Sequence, residues 1–437
     1  MAPMEAEPLS LIATCDVVAA VRGRAVATRN LDAHLVAGVG WVPANLSLTP
    51  FGGIVDPNPF GSLGDLRLLP DIASRVRVDL GESTPFDVVL ADLHLPDGTP
   101  WSACPRLFLK DALATFEAET GLQVNASFEQ EFQLPLDGPP PPPFSLEGLR
   151  RSEPFASLSM AALSAAGLEP ESFVPEYGAD QYEIPCPPAI GVAAADRAIL
   201  TREIIRETAR VLGRRASFTP ITHPDGGGNG VHIHLSLVDA DGRSAIAADD
   251  GLSVAAGAFA AGILRHARAL VALTAPTPVS FIRLQPHRWS TGLVCLAAGN
   301  REALLRIPAA TTIGGRDAAA QLRFEYRAAD ATACPYLALG AIVLAGLAGL
   351  REQLPPPPVL HGDADAMSAS DLAPYASTTL PASLSEALDA LEADTVASGW
   401  LPPLLLETFL GVKRWEVATA TGDADLSATC ARYACVY

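Results

Sequence analysis

The chain has 437 residues, 49% hydrophobic and 18% charged, a balance that excludes intrinsic disorder and leaves room for two or three domains with substantial cores. A formal charge of −19 disfavours nucleic acid as a partner, since phosphates would be repelled and no basic patch interrupts the acidity. So many carboxylates are instead compatible with bound divalent cations.

Cys15, Cys104, Cys186, Cys295, Cys334, Cys430 and Cys435 are scattered and form no CxxC pair, which indicates neither a disulfide framework nor a zinc site. A cytoplasmic location is expected. Met1–Ser10 has acidic residues and prolines where a signal peptide would carry a basic start and an apolar core. The most apolar run, Leu337–Leu350, is too short to span a bilayer, and its alanines and glycines suit a buried, closely packed helix, so no membrane partner is expected.

From Leu11 to Leu95, short runs rich in Val, Leu, Gly and Pro predict strands separated by turns, notably Thr14–Arg22, Ile72–Leu80 and Phe86–Leu93. These define a small, mainly β domain over residues 1–100. Pro105–Thr120 predicts an amphipathic helix, with Leu107, Phe108, Ala112, Leu113 and Phe116 at helical spacing and Gly121 as its stop. A second domain, residues 101–437, starts with it.

Val124–Leu134 predicts a strand whose alternation puts Glu129 and Glu131 on one face and aromatics on the other. Adjacent carboxylates repel unless something positive lies between them, although an exposed strand face would also carry them. The polyproline stretch Gly138–Phe144 reads as a surface loop without chemistry. Glu176 and Glu183 follow across a turn, then a helix over Ala194–Leu212 closed by Gly213. Gly226–Gly230 is a glycine-rich loop, and the strand after it places His232, His234 and Ser236 on one face. Alone, this stretch fits a polar strand end beside a flexible loop as well as a metal or phosphate site. After a helix around Ser253–Ala272 come Arg283, then Arg301 and Arg306, then Arg323 and Arg327 flanking Glu325, which a strand would point the same way.

Glu129, Glu131, Glu176, Glu183, Glu325 and His232 make a hard-cation ligand set suited to Mg²⁺ or Mn²⁺. The five arginines supply planar donors for phosphate and carboxylate oxygens. Cations plus arginines are what phosphoryl transfer needs, and no P-loop or kinase signature is present to hold a nucleotide in a more familiar way.

In these motifs the chain resembles the glutamine synthetase superfamily. The Glu-x-Glu strand, the Glu176–Glu183 turn, Gly-Asn-Gly-Val-His-Ile-His-Leu-Ser-Leu, Asn-Arg-x4-Arg-Ile-Pro, Arg-x-Glu-x-Arg-x-x-Asp and Pro335–Leu339 occur in the family's order. The resemblance implies an α+β fold, with a β-grasp-like N-terminal domain and a catalytic domain built on a curved antiparallel sheet flanked by helices. It also implies homo-oligomers, commonly dodecamers of stacked rings with active sites between subunits. Carried over by position, Glu131, Glu176 and Glu183 would hold one divalent ion, and Glu129, His232 and Glu325 the second. His234, Ser236 and Arg323 match nucleotide-contacting positions and Arg306 a phosphate-contacting one. Arg283 and Arg327 match positions holding the substrate carboxylate, and Arg301 the one facing the transferred phosphoryl. The implied reaction is ATP-dependent activation of the γ-carboxylate of glutamate or a related acid to an acyl phosphate, followed by attack of an amine.

Three departures bear on the substrates. Trp289 stands where the family's flap has a glutamate for ammonium, and Leu48–Gly53 lacks the aspartate of the N-terminal turn. Gly227-Gly228-Asn229-Gly230 replaces Asn-Gly-Ser-Gly, leaving Gly228 beside the substrate without a side-chain amide and opening the acyl donor to change. An indole gains little from ammonium, whereas burying an apolar amine substituent is worth roughly 25 cal/mol per Å². A charged amine would add a cation–π contact of about 0.5–2 kcal/mol. A γ-glutamyl amide ligase for apolar alkyl or aryl amines is therefore expected, ahead of a γ-glutamylpolyamine synthetase or an ammonia-using glutamine synthetase. A catalytically silent homologue is disfavoured, since a scaffold gains nothing from mutually repelling carboxylates.

Overall fold

The computed structural model describes residues 5–248, 251–285, 288, 290, 292–376, 378–420 and 425–437. The N-terminal part is a six-stranded sheet: β1 (Leu9–Cys15), β2 (Val21–Ala27), β3 (Val39–Trp41), β4 (Leu66–Pro70), β5 (Val76–Val78) and β6 (Phe86–His94). Parallel β1 and β6 lie at its centre, and the remaining pairings are antiparallel. The strand expected over Thr14–Arg22 is two strands. Asp16 breaks it, its carboxylate accepting from the backbone N–H of Val18 and Ala20 and from Arg22 Nε, which closes a tight turn.

The larger sheet contains β7 (Gln123–Gln133), β8 (Val174–Pro175), β9 (Gln181–Ile184), β10 (Ala189–Ile190) and β11 (Val231–Val238). A small hairpin, β12 (Ala247–Ala248) with β13 (Gly251–Leu252), stands apart. The sheet continues with β14 (Leu293–Ala298), β15 (Ala303–Ile307), β16 (Phe324–Tyr326) and β17 (Val359–His361), in the order β17-β14-β15-β16-β11-β7-β9-β8. It is antiparallel through its centre, as expected, and turns parallel only where β14 meets β15 and β17.

Helices cover the back of this sheet. Pro105–Thr120 begins with Pro at its first position and ends at Gly121, whose φ of 70° is the left-handed stop that glycine adopts without strain. Pro335–Arg351 is almost wholly buried, and its small residues allow close crossings. A Cβ on Gly349 would lie 2.1 Å from the Ala258 carbonyl oxygen, and one on Gly262 2.1 Å from that of Ala345. The helix expected over Ser253–Ala272 is two, Val254–Arg265 and Ala267–Thr274, bent by 76°. His266 sits at the break, buried, with Nδ1 2.6 Å from Asp394 Oδ2. Among the described residues no single helix is long and apolar enough to cross a membrane; that bent pair passes by length and composition only together, and most of its residues are buried in the core.

A buried cation ties the two sheets' neighbourhoods together. Arg106, 1% exposed, donates to Asp71 and Asp92 of the N-terminal part and, through two nitrogens, to Asp196 of the helix Val192–Val211. Tyr336 Oη donates to the same Asp196 at 2.6 Å. All seven cysteines are free, and six of them are buried.

Candidate active site

Strand register assembles the site. Glu131 pairs with Glu183 across β7 and β9, Glu129 with His232 across β7 and β11, and His234 with Glu325 across β11 and β16. Arg306 faces Glu325 from β15. Residues directly opposite on one face lie about 5 Å apart, so five strands deliver carboxylates, imidazoles and a guanidinium to a single patch.

His232 Nδ1 lies 3.2 Å from Glu129 Oε2, 3.6 Å from Glu131 Oε1 and 4.0 Å from Glu325 Oε1. Arg323 Nε, which can only donate, reaches His234 Nδ1 at 3.0 Å. That fixes the tautomer: the proton is on Nε2, which donates to Glu129 Oε1 at 2.8 Å. Ser236, one strand repeat further, is half-buried with its hydroxyl 3.4 Å from the Asn125 carbonyl oxygen. Glu325 is buried and accepts from Arg306 Nη1 at 2.5 Å and from Arg327 Nη1. Arg327 Nε in turn donates to the Arg301 carbonyl oxygen at 2.9 Å.

The glycine loop packs against this patch for reasons of space. A Cβ on Gly228 would lie 2.5 Å from Arg283 Cγ, and one on Gly227 2.9 Å from Gly178 Cα in the Glu176–Glu183 turn. Arg283 is 3% exposed and donates from Nη2 to the Ala329 carbonyl oxygen at 2.8 Å. Its Nε and that of Arg306 are buried without a partner among the described residues. Buried donors in that condition are costly until an anion satisfies them.

Gln181 is a site residue that motif reading overlooked. Its Nε2 donates to Glu131 Oε2, to the Gly228 carbonyl oxygen and to Asn229 Oδ1, while its Oε1 accepts from Gly178 N–H. It thereby clamps turn, loop and carboxylate together. Its position two before Glu183, on the same strand face, was the available signal.

The charges divide into two groups. Burial pushes Glu325 up, but His232, Arg327, His234 and Arg306 outweigh it and hold the carboxyl down at about 2. Burial likewise opposes ionisation of Glu129, and hydrogen bonds from His232 and His234 hold it well below the usual carboxylate range. Glu183 has no such help: burial, then the charges of Glu129, Glu131, Glu176 and Glu325, drive it up to about 9. Glu176 rises to about 7 through burial and Glu131, partly offset by the Arg301 charge, which places that guanidinium's field at the same rim. The protein's own cations neutralise one half of the patch, and the Glu176–Glu183 half calls for a cation from outside.

The ligand atoms of Glu129, Glu183 and His232 lie within 4.8 Å of one another, as do those of Glu129, His234 and Glu325. These trios share Glu129 and bring in His234, so they partition the donors differently from the two expected sets. Glu131 and Glu176 border them. All six expected carboxylate and histidine ligands, with Arg306, Arg323 and Arg327, thus converge on one patch. Trp289 lies outside the described residues.

The profile described as the glutamine synthetase catalytic domain matches residues 141–427, and that of the glutamine synthetase N-terminal domain matches residues 2–101. The chain belongs to the glutamine synthetase family. Members are carbon–nitrogen ligases that use ATP and divalent metals on small-molecule substrates and typically oligomerise. A γ-glutamylpolyamine synthetase of Streptomyces coelicolor is 33% identical over 434 residues, 95% of this chain and 91% of the relative. A crystal structure of a novel glutamine synthase homolog superposes with a TM-score of 0.91 at 42% identity, covering 100% of both chains. Ligand-free GmaS superposes at 0.81 with 28% identity, covering 97% of this chain and 96% of that one. In this glutamine synthetase-type ligase, the acidic and imidazole donors meet on one patch of the larger sheet.

Proposed function

We propose that this ligase joins the γ-carboxyl of glutamate, or of a closely related acid, to an organic amine with an apolar alkyl or aryl substituent. The observation that carries the reading is the juxtaposition of a cation-deficient carboxylate patch with two buried arginines, Arg283 and Arg306, whose Nε donors lack a partner among the described residues, a site suited to anionic substrates. The donor set fits divalent cations: oxygen-rich, with an imidazole, and with Glu183 driven to about 9 in the absence of external positive charge. Glu129, Glu131, Glu176, Glu183, His232 and Glu325 would hold Mg²⁺ or Mn²⁺, with His234 as a further neighbour. Bound there, such ions screen the negative charge of the nucleotide phosphates and the carboxylate.

The rest falls to the chain's own side chains. Arg283 and Arg327 hold the acid's carboxylate, and Arg306, Arg323 and Ser236 orient the nucleotide, with Arg301 facing the γ-phosphoryl. A γ-carboxylate oxygen attacks the terminal phosphorus of ATP and ADP departs, giving an acyl phosphate. The amine nitrogen then attacks the acyl carbon, phosphate leaves with the C–O electron pair, and the nitrogen loses a proton. Domains of residues 1–100 and 101–437, assembled as a dodecamer with sites between subunits, complete the reading.

An aromatic at position 289 in place of a carboxylate supports an apolar amine. A polyamine is the second reading, favoured by the relative in Streptomyces coelicolor and by the exposed carboxylate of Asp225 beside the glycine loop. Phosphate release measured with ammonium, methylamine, isopropylamine, aniline and putrescine separates these. Saturation by ammonium at low millimolar concentration would sink the organic-amine reading, and preference for putrescine would select the second.

A further inference from the structure

The Glu176 turn carries an aromatic pair that no step above uses. Phe144 and Tyr177 are 53% and 59% exposed, yet their rings meet edge to face with centroids 4.8 Å apart. Two large rings held in solvent-facing contact are uncommon without a use. Phe144 is fixed at a φ of 55°, a left-handed backbone that residues other than glycine rarely adopt. Several contacts enforce it. Phe144 N–H donates to the Pro175 carbonyl oxygen at 3.0 Å, on the strand that leads directly into Glu176. Arg151 gathers the carbonyl oxygens of Leu136, Asp137, Gly138 and Pro139, drawing the polyproline stretch into a strap across this edge.

The strap borders the site. Tyr177 follows Glu176, and its N–H donates to the Glu176 carboxylate at 3.3 Å. Gly178, next in the turn, packs on Gly227 and is tied through Gln181 to Glu131 and Gly228. On the far side of the same loop, Arg288 Nη2 donates to the Pro224 carbonyl oxygen at 2.8 Å. The Glu176 turn and the glycine loop therefore share one rim, with Glu176 facing inward and the aromatic pair at its outer edge.

We infer that Phe144 and Tyr177 form a wall for the amine's substituent, selecting apolar groups large enough to reach from the reacting nitrogen past Glu176. The inference rests on the organic-amine reading. An apolar substituent covers ring surface that is otherwise hydrated, and gains roughly in proportion to the area covered, whereas a methyl group is too short to reach it.

The test compares wild type, Phe144→Ala, Tyr177→Ala and Tyr177→Phe, reading KM for methylamine, butylamine and benzylamine with ATP saturating. The KM ratio of benzylamine to methylamine should rise about tenfold in each alanine variant, as expected for roughly 60 Å² of lost contact, and stay near wild type in Tyr177→Phe. Phe144→Leu serves if Phe144→Ala does not fold, with a smaller rise expected. An unchanged ratio in the alanine variants, or an equal rise in KM for every amine, overturns the inference while leaving the function standing. A wild type that turns over ammonium alone removes the function and this inference together.

Discussion

Replacing Gly228 by alanine should disable acyl-donor binding without unfolding the protein. The new Cβ would sit 2.5 Å from Arg283 Cγ, 2.9 Å from its Cδ and 3.3 Å from the Pro220 carbonyl oxygen, so something must move. Arg283 is enclosed, 3% exposed, and held by the Ala329 carbonyl oxygen at 2.8 Å, which leaves its stem little alternative room. If the loop yields instead, the 2.8 Å bond from Gln181 to the Gly228 carbonyl oxygen is lost, and with it the clamp on Glu131. Either way, one charge-assisted hydrogen bond to the substrate carboxylate is broken or misdirected, worth about 1.5–3 kcal/mol. That corresponds to a rise of roughly ten- to a hundredfold in KM for the acid. The assay is phosphate release against acid concentration, with ATP and amine saturating and folding checked by circular dichroism. A folded variant with an unchanged KM for the acid would refute the placement of Arg283 at the acyl-donor carboxylate.

Other outcomes follow from the electrostatics and the core. Glu183 has a folded pKa of about 9, above its ordinary value. Cation-free protein should therefore lose stability as pH rises from the ordinary carboxylate range through 9, because the folded state must give up a proton it holds tightly. Divalent cation replaces that proton, so thermal unfolding followed from pH 6 to 9 should decline in EDTA and flatten in Mg²⁺ or Mn²⁺; identical slopes would count against a cation beside Glu183. Glu325→Gln removes the carboxylate shared by Arg306 and Arg327. Turnover should fall at least a hundredfold while secondary structure survives, and the apparent affinity for Mn²⁺ in activity titrations should weaken. Arg106→Ala strands Asp196 as a buried carboxylate with only the Tyr336 hydroxyl beside it and leaves Asp92 to Lys110 alone, a loss of about 3–5 kcal/mol that should lower the unfolding midpoint markedly. Arg106→Lys should recover part of it.

Much of the fold and site was legible in residue order, and for one reason. Side-chain alternation along a strand and 3.6-residue periodicity along a helix are properties of the local backbone. They suffice to put Glu129 with Glu131, to put His232 with His234, and to delimit Pro105–Thr120. Where the expected elements changed, a distant or competing group intervened: Asp394 engages His266 at the helix break, and Asp16 folds back on its own turn instead of extending the strand.

The sequence by itself determined the chemistry on offer, a set of carboxylates, imidazoles and arginines in the order of a glutamine synthetase. Only the tertiary structure decided how they meet. Register between strands far apart in the chain sets Glu325 against both His234 and Arg306, and makes Glu129 common to two trios. Space, too, is decided there: Gly228 must lack a side chain because Arg283, 55 positions later, fills the volume a Cβ would need. Local periodicity fixes which way a side chain points, but what it points at depends on segments brought together only when the core closes.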